Sequence, residues 1–226
     1  AVADPSSGLE MIGDTWRFFQ GKGHFDEMAG WLDRLDALPG SDQTPGRVKG
    51  LMARGALTYW RGDAAAAIEL YARAVDMARQ MADTNLLAVA IYGHETSRIM
   101  AGDAAGLEGL KEVEKIYQEN NDHGGLAHVA AARAFAELQA GRTIGSGPLF
   151  QESFELYLKA GNRLNAGQTT LGLAGVALEE GRIEDALIYS RTGLQYGEEL
   201  GDRFMVAWAI EWIATALVEA GDIERA

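Results

Sequence analysis

Apolar residues recur at intervals of three and four along most of the chain. After Gly62 the series Ala67, Ile68, Tyr71, Ala74, Val75 and Ala78 follows one stripe. After Gly181, Ile183, Ala186, Leu187, Leu194 and Leu200 follow another. Such spacing marks helices with one buried face. A turn signal punctuates the stripes. Gly62-Asp63 returns as Gly102-Asp103, Gly141-Arg142, Gly181-Arg182 and Gly221-Asp222, with the glycines 40, 39, 40 and 40 residues apart. A step of 39 back from Gly62 reaches Gly23, within Gln20-Gly21-Lys22-Gly23-His24-Phe25. Between these turns runs a second series, Asp83, Asp122, Asn162 and Asp202, spaced 39, 40 and 40. Gly161 and Gly201 directly precede its last two members. A glycine there suits a left-handed residue closing one helix, and the Asn or Asp after it suits the N-cap of the next.

Each period therefore holds two helices of roughly 14–18 residues. Eleven are expected, over 9–20, 24–38, 46–61, 64–82, 84–101, 104–120, 123–140, 148–160, 163–180, 183–200 and 203–220. Pro39 to Pro45 reads as a longer loop, and Arg142 to Gly147 as another, with Ser146 the N-cap before Pro148. A helix pair of this size cannot bury its own apolar face, so neighbouring pairs must stack into a continuous core. The expected fold is all-α, a right-handed α-solenoid of antiparallel helix pairs with a period of about 40. Residues 1–8 read as a disordered lead-in or cut end, and 9–226 as the repeat domain. Ile223-Glu224-Arg225-Ala226 resembles the first turn of a twelfth helix, which suggests a fragment whose last repeat is truncated.

Composition narrows the function. Net charge is −13 and the sequence pI is about 4.7, so the surface repels phosphate backbones and anionic lipid heads. Direct contact with nucleic acid or membrane is not expected. The chain has no cysteine, which excludes disulfides and thiolate metal sites and fits a cytoplasmic setting. No run of about 18 apolar residues occurs, so no membrane-spanning helix is expected.

The segment Leu51 to Val75 resembles the tetratricopeptide family. Gly55, Ala67 and Ala74 stand at its small positions, and Tyr71 stands at the large aromatic position between the two alanines. Ala174, Ala186 and Leu187 keep the same places around Gly181, and Ala214 precedes Gly221. The family's usual period is about 34 residues, so this one has longer helices. The longer period, with endings such as Leu200-Gly201-Asp202-Arg203, resembles the repeat region of large bacterial signal-transduction ATPases and LuxR-type transcriptional regulators. The opening Trp16 to Leu38, with Gly23-His24-Phe25-Asp26-Glu27 and Trp31-Leu32, is similar to their first repeats. The resemblance implies repeats that sense an inducer or partner and restrain an ATPase. It implies no enzymatic activity and no cofactor for these residues.

Catalytic patterns are thin. Gly21-Lys22-Gly23 lacks the hydroxyl residue of a phosphate loop, and His94-Glu95 lacks a second histidine four residues on. His24, His94, His123 and His128 are scattered. The five-residue step from His123 to His128 does not put both on one helix face, so no metal site is expected. Gly145-Ser146-Gly147 is no nucleophile elbow.

Two groups of residues stand out. Register counts back from Gly102 and Gly141 place His94, Glu95, Arg98, Arg133 and Glu137 at positions that should be apolar. Unpaired charges there are costly, so Glu95, Arg98, Arg133 and Glu137 are expected to pair across two neighbouring helices. The pairing serves either structure or a polar ligand pocket or latch. The second group is the groove formed by the first helix of each pair: Tyr92, Thr96, His128, Phe135, Gln168, Trp208, Glu211, Trp212 and Thr215. Trp208 and Trp212 lie one turn apart and either anchor a partner or pack on a further repeat. The function expected is a non-catalytic interaction or ligand-sensing region of a bacterial regulator. Its partner is a protein, another domain of the same polypeptide or a small-molecule inducer. The alternative is a free-standing adaptor that binds peptides.

Overall fold

A computed structural model describes residues 4–40 and 43–222. Its described elements are eleven helices: α1 (Pro5–Lys22), α2 (Phe25–Asp36), α3 (Pro45–Trp60), α4 (Ala64–Arg79), α5 (Thr84–Met100), α6 (Gly106–Glu119), α7 (His123–Gln139), α8 (Thr143–Lys159), α9 (Arg163–Glu179), α10 (Ile183–Leu200) and α11 (Arg203–Glu219). They fall into two compact units, residues 1–116 and 117–226. In the first unit α1 packs on α2 and α3, α3 on α2, α4 and α5, and α4 on α5. In the second, α7 packs on α8 and α9, α9 on α8, α10 and α11, and α10 on α11. Each unit is thus a set of helical hairpins laid side by side, the all-α solenoid arrangement that the period predicts.

The turns show why the period is so regular. At the first, the Gly62 amide donates to the Tyr59 carbonyl at 2.9 Å and the Asp63 amide to the Thr58 carbonyl at 3.2 Å. That pair of bonds needs a left-handed residue between them, and Gly62 supplies it at φ 92°. The same backbone ending recurs at Gly102, Gly141, Gly181 and Gly221. In the second series Gly161 and Gly201 play this part at φ 70° and 63°, while Asn121 holds φ 56° without being glycine. The next helix then starts on a side-chain cap. Asp83 accepts from Leu86 N, Asp122 from Gly125 N, Asn162 from Asn165 N and Asp202 from Met205 N, all at 2.9–3.1 Å.

Small residues let the hairpins approach. Ala53, Ala67, Ala74, Ala78, Ala88 and Ala90 are fully buried in the first unit, as are Ala134, Ala166, Ala174 and Ala177 in the second. The Tyr71 ring reaches from α4 between α3 and α5. A Cβ at Gly55 would lie 2.9 Å from its Cε2, and a Cβ at Gly93 would lie 2.3 Å from its Cε1. Only glycine leaves that slot open. Helix α9 is buried nearly all round, from Asn165 to Leu178 with Gln168 excepted, because α8, α10 and α11 cover it.

The structure corrects several expectations. Helix α1 begins at Pro5, not residue 9, because the Asp4 carboxylate caps Ser6 and Ser7 and proline suits the first turn. Residues 5–8 are therefore no lead-in. Helix α8 begins at Thr143 and runs through the segment expected as a loop. Ser146 is fully buried and its Oγ donates to the Thr143 carbonyl at 2.8 Å, so it caps nothing. Pro148 falls in the second turn, where its missing amide removes only one early bond. On α10 Ala186 is buried and Ile183, Leu187 and Leu194 pack on the core as expected, but the fully buried stripe continues through Ser190, Gly193 and Gly197, and Leu200 is 37% exposed. Ala1–Ala3, at the start of the expected lead-in, and the expected twelfth helix at Ile223–Ala226 lie outside the described residues.

Candidate recognition surface

The polar cluster resolves into two local networks. Glu95 on α5 is 8% exposed, and its carboxylate bonds His94 Nδ1 at 2.8 Å and Arg98 Nη1 at 2.9 Å. Arg98 also donates to Asp103 in the following turn, from Nη2 at 2.6 Å and Nε at 2.9 Å. The Asp103 hydrogen bond raises the Arg98 pKa, and the reverse contact holds the Asp103 carboxyl below its usual range. Glu137 on α7 is half-buried and accepts from Arg142 Nε and Nη2, both at 2.7 Å, which lowers its pKa. The bonds seen for Glu95, Arg98 and Glu137 run within each helix and the turn after it. A long arginine can fold back on its own turn, and that geometry is invisible to a register count. Arg133 lies half-buried on α7. Glu95 still has a tertiary role. Its carboxylate packs on α6 where a Cβ at Gly109 would stand 2.4 Å from Cδ. At Gly55 the small residue is on the first helix; one period later it has moved to the second.

The groove residues divide in the same way. In the second unit His128, Gln168 and Trp208 stand 40 residues apart on α7, α9 and α11, and all three are half-buried. They form one line across three packed helices. His128 Nδ1 meets the Tyr157 hydroxyl at 2.6 Å, and which atom donates depends on the imidazole tautomer. Trp208 packs beside Phe204 and against the cluster of Leu171, Met205 and Ala209. Phe135 is a packing residue, edge-on to Phe150 at 4.9 Å. Trp212 lies over Gly175, between the same cluster and that of Ala177 and Ala216, with its indole N–H buried and without a partner among the described residues. Glu211 is exposed, and Thr215 Oγ1 returns to the Glu211 carbonyl.

In the first unit Tyr92 and Thr96 lie half-buried on α5, and Thr96 Oγ1 donates to the Tyr92 carbonyl at 2.7 Å. Tyr92 and Tyr71 both feel the charge of Arg17 on α1. Burial pushes the Tyr92 pKa up to about 12 and raises Tyr71 as well, while the Arg17 guanidinium pulls both back. Arg17 stands over the Trp16 ring at 4.5 Å. Steps of 39, 40 and 39 carry position 17 through 56 and 96 to 135, so the period itself contained the signal that puts Arg17 in the groove register. No group of three or more His, Asp or Glu among the described residues is placed to hold a metal ion, and no described helix is long and apolar enough to cross a membrane.

No protein-family model matches the chain, and no curated protein sequence does. A solved structure does match: BtubC (BKLC) from P. vanneervenii, with a TM-score of 0.62 and 14% identity, covering 100% of this chain and 87% of that one. The likeness is one of fold. It supports the all-helical fold and carries no residue roles with it.

Proposed function

We propose that this chain is a non-catalytic recognition region of a bacterial transcriptional or signal-transduction regulator. Its first helices take up a protein partner, another domain or an inducer. One observation supports this reading above the rest. Along the line His128, Gln168 and Trp208 the side chain changes completely from repeat to repeat, whereas the packing positions behind it stay small or apolar. Packing alone has no use for such variety on one line, but a surface that reads an extended ligand does. The charged side chains near the turns fit the same reading, since they serve local caps and pairs. The test introduces Gln168→Arg and Trp208→Ala separately into the full reading frame and measures regulated output in the cell. Loss of the response is expected in both, with an unchanged melting temperature for Gln168→Arg and a lowered one for Trp208→Ala, which also loses packing on the Leu171 cluster. An unchanged response in both variants refutes the reading. A response that persists only as binding of peptides from other proteins favours a free-standing adaptor.

A further inference from the structure

Helices α9 and α11 pack on each other and hold one register, 40 residues apart. On α11 a stripe runs from Phe204 and Trp208 through Glu211 and Thr215 to Glu219 at the helix end. The matching positions on α9 include Gln168 and Glu179. Glu179, Glu211 and Glu219 are exposed, and none of them forms an ion pair among the described residues. Two of the three break the local rule for helix ends. A carboxylate in the last turn faces the negative end of its own helix. Helices α1, α2, α4, α5 and α8 carry a lysine or arginine there, whereas α9 and α11 end on Glu179 and Glu219. The nearby Arg182 does not offset them, because it is bound to Glu180 and Asp185. Nor do the three carboxylates form a group that could hold a metal ion.

We propose that the seam between α9 and α11 binds an extended cationic segment of a protein partner. An apolar side chain of that segment lies against Trp208, and its lysine or arginine side chains reach Glu211, Glu219 and Glu179. Charge complementarity selects the sign of the partner. Unpaired carboxylates beside the negative ends of two helices gain from a cation and lose from an anion. The net charge of −13 adds long-range attraction in the same sense. Length selects a peptide over a small cation. Eleven residues separate Trp208 from Glu219, about 16 Å of helix. An extended chain advances about 3.3 Å per residue, so about five residues bridge the aromatic and acidic ends. The inference rests on reading the first helices as a recognition surface, and it names one ligand chemistry for them.

Calorimetric titration of the intact chain with three probes tests it: the acetylated and amidated peptide Phe-Gly-Lys-Gly-Lys-Lys, the same peptide with glutamine for each lysine, and spermidine. The lysine peptide is expected to bind at least about tenfold more tightly than the glutamine peptide at low salt, and high salt should shrink that advantage. Glu179→Gln and Glu219→Gln should each weaken the lysine peptide roughly threefold, without changing the glutamine peptide or lowering the melting temperature. Trp208→Ala should weaken both peptides alike. Equal affinity for the two peptides, no binding of either at millimolar concentration, or full lysine-peptide binding by the double variant Glu179→Gln, Glu219→Gln overturns the proposal. Spermidine binding as tightly as the lysine peptide also overturns it, because a small cation then suffices. A cellular response lost in Gln168→Arg yet intact in that double variant refutes the cationic ligand while the recognition reading stands.

Discussion

Replacing Gly93 with alanine tests the packing logic of the repeats most directly. Alanine ordinarily stabilises a helix interior by about 1 kcal/mol relative to glycine. Here the new Cβ would stand 2.3 Å from Cε1 and 2.7 Å from Cδ1 of Tyr71, where ordinary contact begins at 3.4 Å. The ring must retreat by about an ångström toward the backbone of α3 at Gly55, where the slot is so narrow that a Cβ would stand 2.9–3.2 Å from the ring. Overpacking of this kind costs about 1–3 kcal/mol, and a ring held from both sides belongs at the upper end. The net expectation is a loss of about 2 kcal/mol, or roughly 4–8 °C in melting temperature. Tyr71→Ala alone should cost about 3–5 kcal/mol. In that background Gly93→Ala should change sign and stabilise by roughly 0.5–1 kcal/mol, since only the helix preference remains. Gly30→Ala on α2 is the control, because its Cβ meets nothing within 4 Å. Urea unfolding followed by circular dichroism measures all four variants. A neutral or stabilising Gly93→Ala in the presence of Tyr71, or the same sign in both backgrounds, would refute the wedge.

Other expectations follow from the turns and the ion pairs. Asp202→Ala removes a buried cap on Met205 N and should cost about 1–2 kcal/mol, read by urea melts. Asn121→Gly should raise stability by up to about 1 kcal/mol, whereas Gly161→Ala should lower it by a similar amount, because both sites have positive φ. Glu137→Ala should cost less than about 1 kcal/mol, since its pair with Arg142 is open to solvent. Glu95→Ala should cost about 2 kcal/mol through the buried bonds to His94 and Arg98. Folding lowers the carboxyl pKa of Asp103 and Glu137, chiefly through hydrogen bonds from Arg98 and Arg142. The native state then binds fewer protons than the unfolded chain. That stability is complete above the ordinary carboxylate range and disappears as pH falls through the lowered values. The melting temperature should therefore drop below a pH of about 4, and the drop should be shallower in Glu137→Gln.

Sequence alone determined the number of helices among the described residues, their order and nearly all their boundaries. These follow from local rules: glycines at 62, 102, 141, 181 and 221 take a left-handed turn, and Asp or Asn at 83, 122, 162 and 202 caps the next helix. Where a local signal misled, at Ser146 and Pro148, burial outweighed it and α8 continued through. Tertiary structure decided the fate of the side chains. A register count places Glu95, Arg98 and Glu137 at inner positions, but only coordinates show the arginines folding back on their own turns. The Tyr71 ring lies on a second helix and fits between α3 and α5 only because Gly55 and Gly93, on those two helices, leave the slot open. Periodicity fixes which face a residue occupies; how far a long side chain travels past its neighbours depends on packing among helices distant in the chain.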